Sequence, residues 1–150
     1  MLYYICNHYK NETVTKRGDN VDAKTMLIER GIRPSVTRVK IMEFLQSVRT
    51  HPTVEDIYEY LVPEMPTLSK TTVYNTLKLF SENEIIKLLT IDSDQVRADG
   101  FNDIHGHFLC NKCRKLFDFP LSELAKECLE GFDVKTREVY YTGVCKKCKN

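Results

Sequence analysis

The chain has 150 residues, 42% of them hydrophobic and 29% charged, with a formal net charge of +1. That length suits one ordinary domain or two small ones, and that composition excludes a fibrous or intrinsically disordered chain. The balanced charge favours no class of partner, so the local placement of charge has to decide.

No apolar run is long enough to cross a bilayer, so no membrane association is expected. The opening stretch, MLYYICNHYKNETVTKRGDN, has no basic segment followed by an apolar stretch and a small-residue cleavage site. It is read as an N-terminal extension over residues 1–20, a tail or an added first turn, and the expected location is cytoplasmic.

From Val21 the pattern becomes helical. DAKTMLIERG runs to Gly31, a residue suited to ending a helix. Pro34 and Ser35 open a second helix in which Ile41, Leu45 and Val48 share a face. A third follows His51, Pro52 and Thr53. Asp56 completes something close to a capping box with Thr53, and Val54, Ile57, Tyr58 and Leu61 make the apolar stripe. Pro63 and Pro66 stop it.

In LSKTTVYNTLKLFSENEII, Ser69 can cap a fourth helix, with Val73, Leu77 and Phe80 facing inward. EIIKLLTIDSDQVRADGF then reads as a hairpin: an apolar strand, an Asp/Ser turn and a return strand. Helices closed by a hairpin outline a winged helix-turn-helix, with the helix after Ser69 as the recognition helix. An α+β fold is expected, with a winged-helix domain over 21–96, a hinge over 97–103 and an α/β dimerisation domain over 104–150. In that last part, HGHFLC and KLFDF read as strands, LSELAKECLEG as a short helix closed by Gly131, and FDVKTREVYYTGVC as a β-rich segment.

Cys110, Cys113, Cys145 and Cys148 fall into two Cys-x-x-Cys knuckles. In a reducing compartment such knuckles read as metal ligands, and four thiolates suit a closed, structural zinc site. It would pin the last strand to the first of a module too small to hold itself together. Cys6 and Cys128 have no assigned role.

His105 and His107 share one face of a strand. With His51, Asp99 and Asp118 they could enclose a second divalent ion, with Asp94 and Asp103 as competitors for the Asp99 place. Nitrogen and hard oxygen donors without sulfur favour iron(II) or manganese(II).

The stretches GIRPSVTRVKIMEFL, HPTVEDIY, LSKTTVYNTL, HGHFLCNKC, KLFDF and GVCKKC together resemble the ferric uptake regulator (Fur) superfamily of bacterial metal-dependent repressors. The resemblance runs from about residue 22 to the end. It implies a homodimer that binds pseudo-palindromic operators in double-stranded DNA.

Within the family the likeness is greatest to the peroxide-responsive subgroup. There, His51, Asp99, His105, His107 and Asp118 match the positions that hold iron(II) or manganese(II), and His51 and His105 match the residues that peroxide oxidises. Asp118 stands where iron-sensing relatives usually carry glutamate. The implied function is repression of peroxide-stress genes, relieved by iron-catalysed oxidation of a ligand histidine. An iron- or zinc-responsive repressor of metal-uptake genes is the alternative.

On the recognition helix, Tyr74 and Asn75 are expected to reach bases or backbone, and Lys70, Thr71, Thr72 and Arg38 to contact phosphate. An enzyme is not expected. The sulfur site is closed, and no paired nucleophile and base or Gly-rich loop accompanies the His/Asp group. A zinc ribbon that only binds other proteins is a third possibility, separated by operator binding.

Overall fold

The computed structural model describes residues 21–48, 50–92, 94–100, 105–121, 131–133 and 137–149. Cys6, Cys128, Asp103 and the expected helix over 122–130 lie outside them.

Four helices open the described chain, and a side chain starts each one. In α1 (Ala23–Glu29), Asp22 accepts hydrogen bonds from the amides of Lys24 and Thr25. Gly31, at φ 72°, ends the turn in the left-handed region that glycine enters without strain. Ser35 caps α2 (Val36–Ser47) through the Arg38 amide. Thr53 and Asp56 form a full capping box at α3 (Val54–Leu61), each satisfying the other's backbone donor. Ser69 caps α4 (Lys70–Glu82) through the Thr72 amide.

The inward faces meet in one core. Leu27, Ile41, Ile57, Val73, Leu77 and Phe80 are completely buried, with Leu61, Leu68, Ile85 and Ala98 filling around them. Each such side chain contributes roughly 1.5–3 kcal/mol of burial, which is why the three- and four-residue apolar spacing specifies the bundle. After α4 the chain turns through Glu84, at φ 55°. It then forms an antiparallel hairpin of β1 (Lys87–Leu89) and β2 (Arg97–Asp99). This is the wing. Its return strand continues through Asp99, into the segment read from the sequence as hinge, because Lys87 pairs with Asp99 across the hairpin.

The wing also grips the start of α3. Thr53 bridges to Arg97, and the Ala98 amide donates to the Pro52 carbonyl at 2.9 Å. The HPT segment thereby becomes a third, very short partner of β2.

A second sheet follows, in the order β4-β3-β5. Its centre is β3 (His105–Cys110). β4 (Leu116–Pro120) runs antiparallel to it and β5 (Tyr140–Gly143) parallel. Among the described residues of the stretch expected to be β-rich, Tyr140–Gly143 is the strand. A four-residue helix, α5 (Lys146–Lys149), ends the described chain. None of the described helices is long and apolar enough to cross a membrane.

Candidate metal centres and nucleic-acid interface

Each cysteine knuckle sits at the end of a strand. β3 delivers Cys110 and the turn after it Cys113, while Cys145 and Cys148 follow β5, the parallel neighbour of β3. The Asn111 amide bonds to the Gly143 carbonyl at 2.7 Å, so the two knuckles are tied by backbone as well. All four sulfurs lie within 4.8 Å of one another, with Cys113 and Cys145 at 3.9 Å. A tetrahedron with bonds of about 2.3 Å from zinc to sulfur has edges of about 3.8 Å, so the donor set fits that ion.

The cluster is electrostatically uneven. Amide hydrogen bonds from Cys113, and then from Cys145 at 3.3 Å, pull the Cys110 thiol down to about 6. The neighbouring sulfurs of Cys145 and Cys113 push Cys148 up to about 12. Lys112 donates to the Cys148 carbonyl at 3.0 Å and adds positive charge beside the sulfurs.

The second cluster is assembled from both halves of the chain. His51 precedes α3, Asp99 ends β2, His105 and His107 project from one face of β3, and Asp118 lies on β4 opposite His107. The wing's hold on Pro52 brings His51 beside Asp99. Nε2 of His51 stands 3.1 Å from Asp118 Oδ1 and 3.9 Å from Asp99 Oδ1. Nε2 of His105 and Nε2 of His107 are 3.2 and 3.5 Å from Asp99 Oδ2, and 3.1 Å from each other. Asp118 Oδ1 lies 4.0 Å from His105 and 3.7 Å from His107.

Donors bound at about 2.1 Å from one ion stand about 3–4 Å apart, and this set meets that spacing. His51, Asp99 and His107 are buried, whereas Asp118 keeps 38% of its side chain exposed. The His51 Nε2 atom is buried and makes no hydrogen bond. A buried nitrogen left in that state costs on the order of 1–3 kcal/mol, and coordination would satisfy it. Of the two competitors weighed for the Asp99 place, Asp94 is 76% exposed and turned toward Arg114.

The expected nucleic-acid face divides. Thr71, Tyr74 and Asn75 are exposed on α4, and Tyr74 is 43% accessible despite its size. Thr72 is exposed, but its hydroxyl is 2.8 Å from the Ser69 cap. Arg38 donates to the Arg33 carbonyl at 2.7 Å and, with Ser35, Thr37 and Asn75, lines a shallow polar depression between α2 and α4. Lys70 is engaged inside the chain. Its ammonium is 2.6 Å from Glu55 and 5.4 Å above the Tyr58 ring.

One cluster has no counterpart in the sequence reading. Asp92, 5% exposed, sits between the guanidinium groups of Arg97 and Arg114. Nothing in the string DSDQVR marks that aspartate as interior.

A helical module with a hairpin wing, joined to a three-stranded sheet that carries a four-cysteine and a three-histidine cluster, defines a metal-binding winged-helix protein. The ferric uptake regulator family matches residues 29–148, and the chain belongs to that family. It is 36% identical over 124 residues to the peroxide-responsive repressor PerR of Staphylococcus epidermidis, covering 79% of this chain and 83% of that one. Its fold matches the iron-containing ferric uptake regulator of Francisella tularensis with a TM-score of 0.71 at 25% identity, over 80% of this chain and 96% of that one. PerR from Streptococcus pyogenes, described with its peroxide sensing and gene regulation, superimposes with a TM-score of 0.50 at 28% identity, over 89% and 98% of the two chains.

Proposed function

We propose that this chain is a metal-dependent transcriptional repressor of peroxide-stress genes, acting in the cytoplasm as a homodimer on a pseudo-palindromic operator. The observation that carries the reading is the convergence of His51, Asp99, His105 and His107 from two modules onto one point, with Asp118 Oδ1 3.1–4.0 Å from the three imidazoles. Zinc held by Cys110, Cys113, Cys145 and Cys148 has a structural role in it, and the three-histidine cluster holds iron(II) or manganese(II).

In this reading His51 and Asp99 fasten the winged helix to the sheet, because their partners are on β3 and β4. When bound, the ion would supply charge that lets three imidazoles and two carboxylates share one small space, and as iron(II) it would activate peroxide as the two-electron oxidant, one oxygen going to an imidazole and the other leaving as water. Oxidation of the His51 or His105 imidazole removes one donor from that fastening. The winged helix is then no longer held in one orientation, and two such domains no longer match two half-sites at once. Tyr74 and Asn75 address bases or backbone, Arg38, Thr71 and Thr72 address phosphates, and Lys70 does so only after leaving Glu55.

The likeness to PerR supports the peroxide signal. The likeness to the iron-containing regulator supports the alternative, a metal-responsive repressor of uptake genes. Peptide mass spectrometry separates them, on protein loaded anaerobically with iron(II) or manganese(II) and exposed briefly to hydrogen peroxide. One added oxygen on the His51 or His105 peptide, in the iron sample alone and with loss of operator binding, is the expected result. Unmodified histidines, with DNA released only by metal removal, would leave the metal-availability reading standing.

A further inference from the structure

Arg97 occupies a position between the two metal clusters and touches the backbone leading to each. Its Nη1 donates to the His51 carbonyl at 3.2 Å, and its Nη2 donates to the Arg114 carbonyl at 3.1 Å. Nε and Nη2 both bond to Asp92 Oδ2, at 3.3 and 3.2 Å. One guanidinium thus binds the wing turn, the segment before α3 and the cysteine knuckle.

The surroundings fix it there. Asp92 has 1% of its side chain exposed and Arg97 13%, so the pair is shielded from solvent. A buried carboxylate gripped by two nitrogens of a planar fork holds that fork in one orientation. The third acceptor is presented by an unusual turn. Arg114 follows Cys113, adopts φ 59°, and has its amide bonded to the Cys110 carbonyl at 2.9 Å. Its own guanidinium closes back on Asp92 and reaches Asp94 at 3.4 Å.

We propose that Arg97 is a positioning residue for the three-histidine cluster, holding the His51 backbone against the cysteine knuckle so that the His51 imidazole meets the ligands of β3 and β4. The inference rests on the metal-site reading given above. Arg97 itself contributes no metal-directed atom. It acts through the carbonyl of His51, the one histidine of the set that comes from the winged-helix module. Without Arg97 the segment is still tied by the bond from the Ala98 amide to Pro52. The fold should therefore survive while the fine placement of the imidazole is lost. Supporting groups of this kind affect metal affinity by about 10–100-fold.

The test uses the full-length, zinc-loaded protein and manganese(II) as the probe, followed by electron paramagnetic resonance of the free ion. Arg97→Ala should keep one zinc per chain and bind manganese about 10–100-fold more weakly. Arg97→Lys keeps charge and length but offers one ammonium in place of the fork, so it should also weaken binding and serves if the alanine variant does not fold. Asp92→Asn should weaken binding too, and less than additively with Arg97→Ala, because both act through one orientation. A lowered melting temperature with unchanged manganese affinity in both Arg97 variants would overturn the proposal and leave Arg97 a stabilising residue only. His51→Ala is the control for the site itself. If it binds manganese as well as the unmodified chain, the underlying site reading fails. If it alone loses binding, the positioning role fails and the site stands.

Discussion

His107 and Asp118 stand directly opposite each other in the antiparallel β3–β4 pair, with Nε2 3.7 Å from Oδ1. The register fixes both side chains on the same face of the sheet, so their meeting needs no loop to be ordered. Asp118 is also the most exposed member of its cluster, which makes it the donor whose removal disturbs the fold least. Asp118→Asn should leave the thermal unfolding transition within about 0.5 kcal/mol of the unmodified chain. It should weaken manganese binding at least as much as loss of a supporting group does, on the order of 100-fold. Scanning calorimetry of the zinc-loaded protein measures the first, and calorimetric titration with manganese(II) the second. Unchanged affinity would remove Asp118 from the ligand set.

Gly106 lies between the two histidines of β3 and directly opposite Phe119. A Cβ at this position would overlap the Phe119 ring, which is stacked on Tyr141 at a centroid distance of 5.2 Å. The backbone here is ordinary, so the restriction is one of space alone. Gly106→Ala should destabilise the sheet by about 1–3 kcal/mol through forced repacking, read as a lower midpoint in denaturant unfolding. The added Phe119→Ala change should restore part of the loss. Additive losses in the double variant would show that the ring is not the obstacle.

Much of this was legible in the chain. The helical stripes placed Ile41, Ile57, Val73, Leu77 and Phe80 inside, because burial on a helix repeats with the helical period. The side chains that gather in the two clusters could be named because metal-binding chemistry restricts its candidates to a few residue types at fixed spacing. The hairpin was legible as a stretch, but the exact bounds of its return strand were not. Arg97–Asp99 is polar at both ends, and what makes it a strand is its pairing with Lys87–Leu89 and with Thr53. Burial of Asp92 was hidden for the same reason. A carboxylate goes inside only where the fold brings cations to it, here Arg97 five residues on and Arg114 twenty-two residues on, and no local pattern announces the second.

Lys70 shows a different kind of mismatch. Its place at the start of the recognition helix suggests a phosphate contact, yet its ammonium is 2.6 Å from Glu55. Both side chains are about half exposed, so the pair is weak and can open. Glu55→Gln should free the ammonium and strengthen binding to duplex DNA. The slope of log affinity against log salt should steepen by about one if Lys70 then neutralises a phosphate. Fluorescence anisotropy over a salt series gives that slope. A slope identical to that of the unmodified chain would mean that Lys70 stays on α3, braced over Tyr58.

The cysteine cluster makes a prediction about pH whose sign follows from its own asymmetry. Zinc binds thiolates, so each thiol still protonated must release its proton as the ion enters. Cys110, held down at about 6 by the amides of Cys113 and Cys145, is already a thiolate at neutral pH. Cys148, pushed up to about 12 by the sulfurs around it, is not. Between about pH 8 and about pH 6, the metal displaces the proton of Cys148, and affinity falls as pH falls. Below about pH 6, Cys110 takes up a proton too, and the fall should become steeper by one proton. Competition with a chromophoric chelator across that range, with proton release measured in weak buffer, would reveal the change of slope. A zinc affinity independent of pH would show that the ion is not held by these four sulfurs.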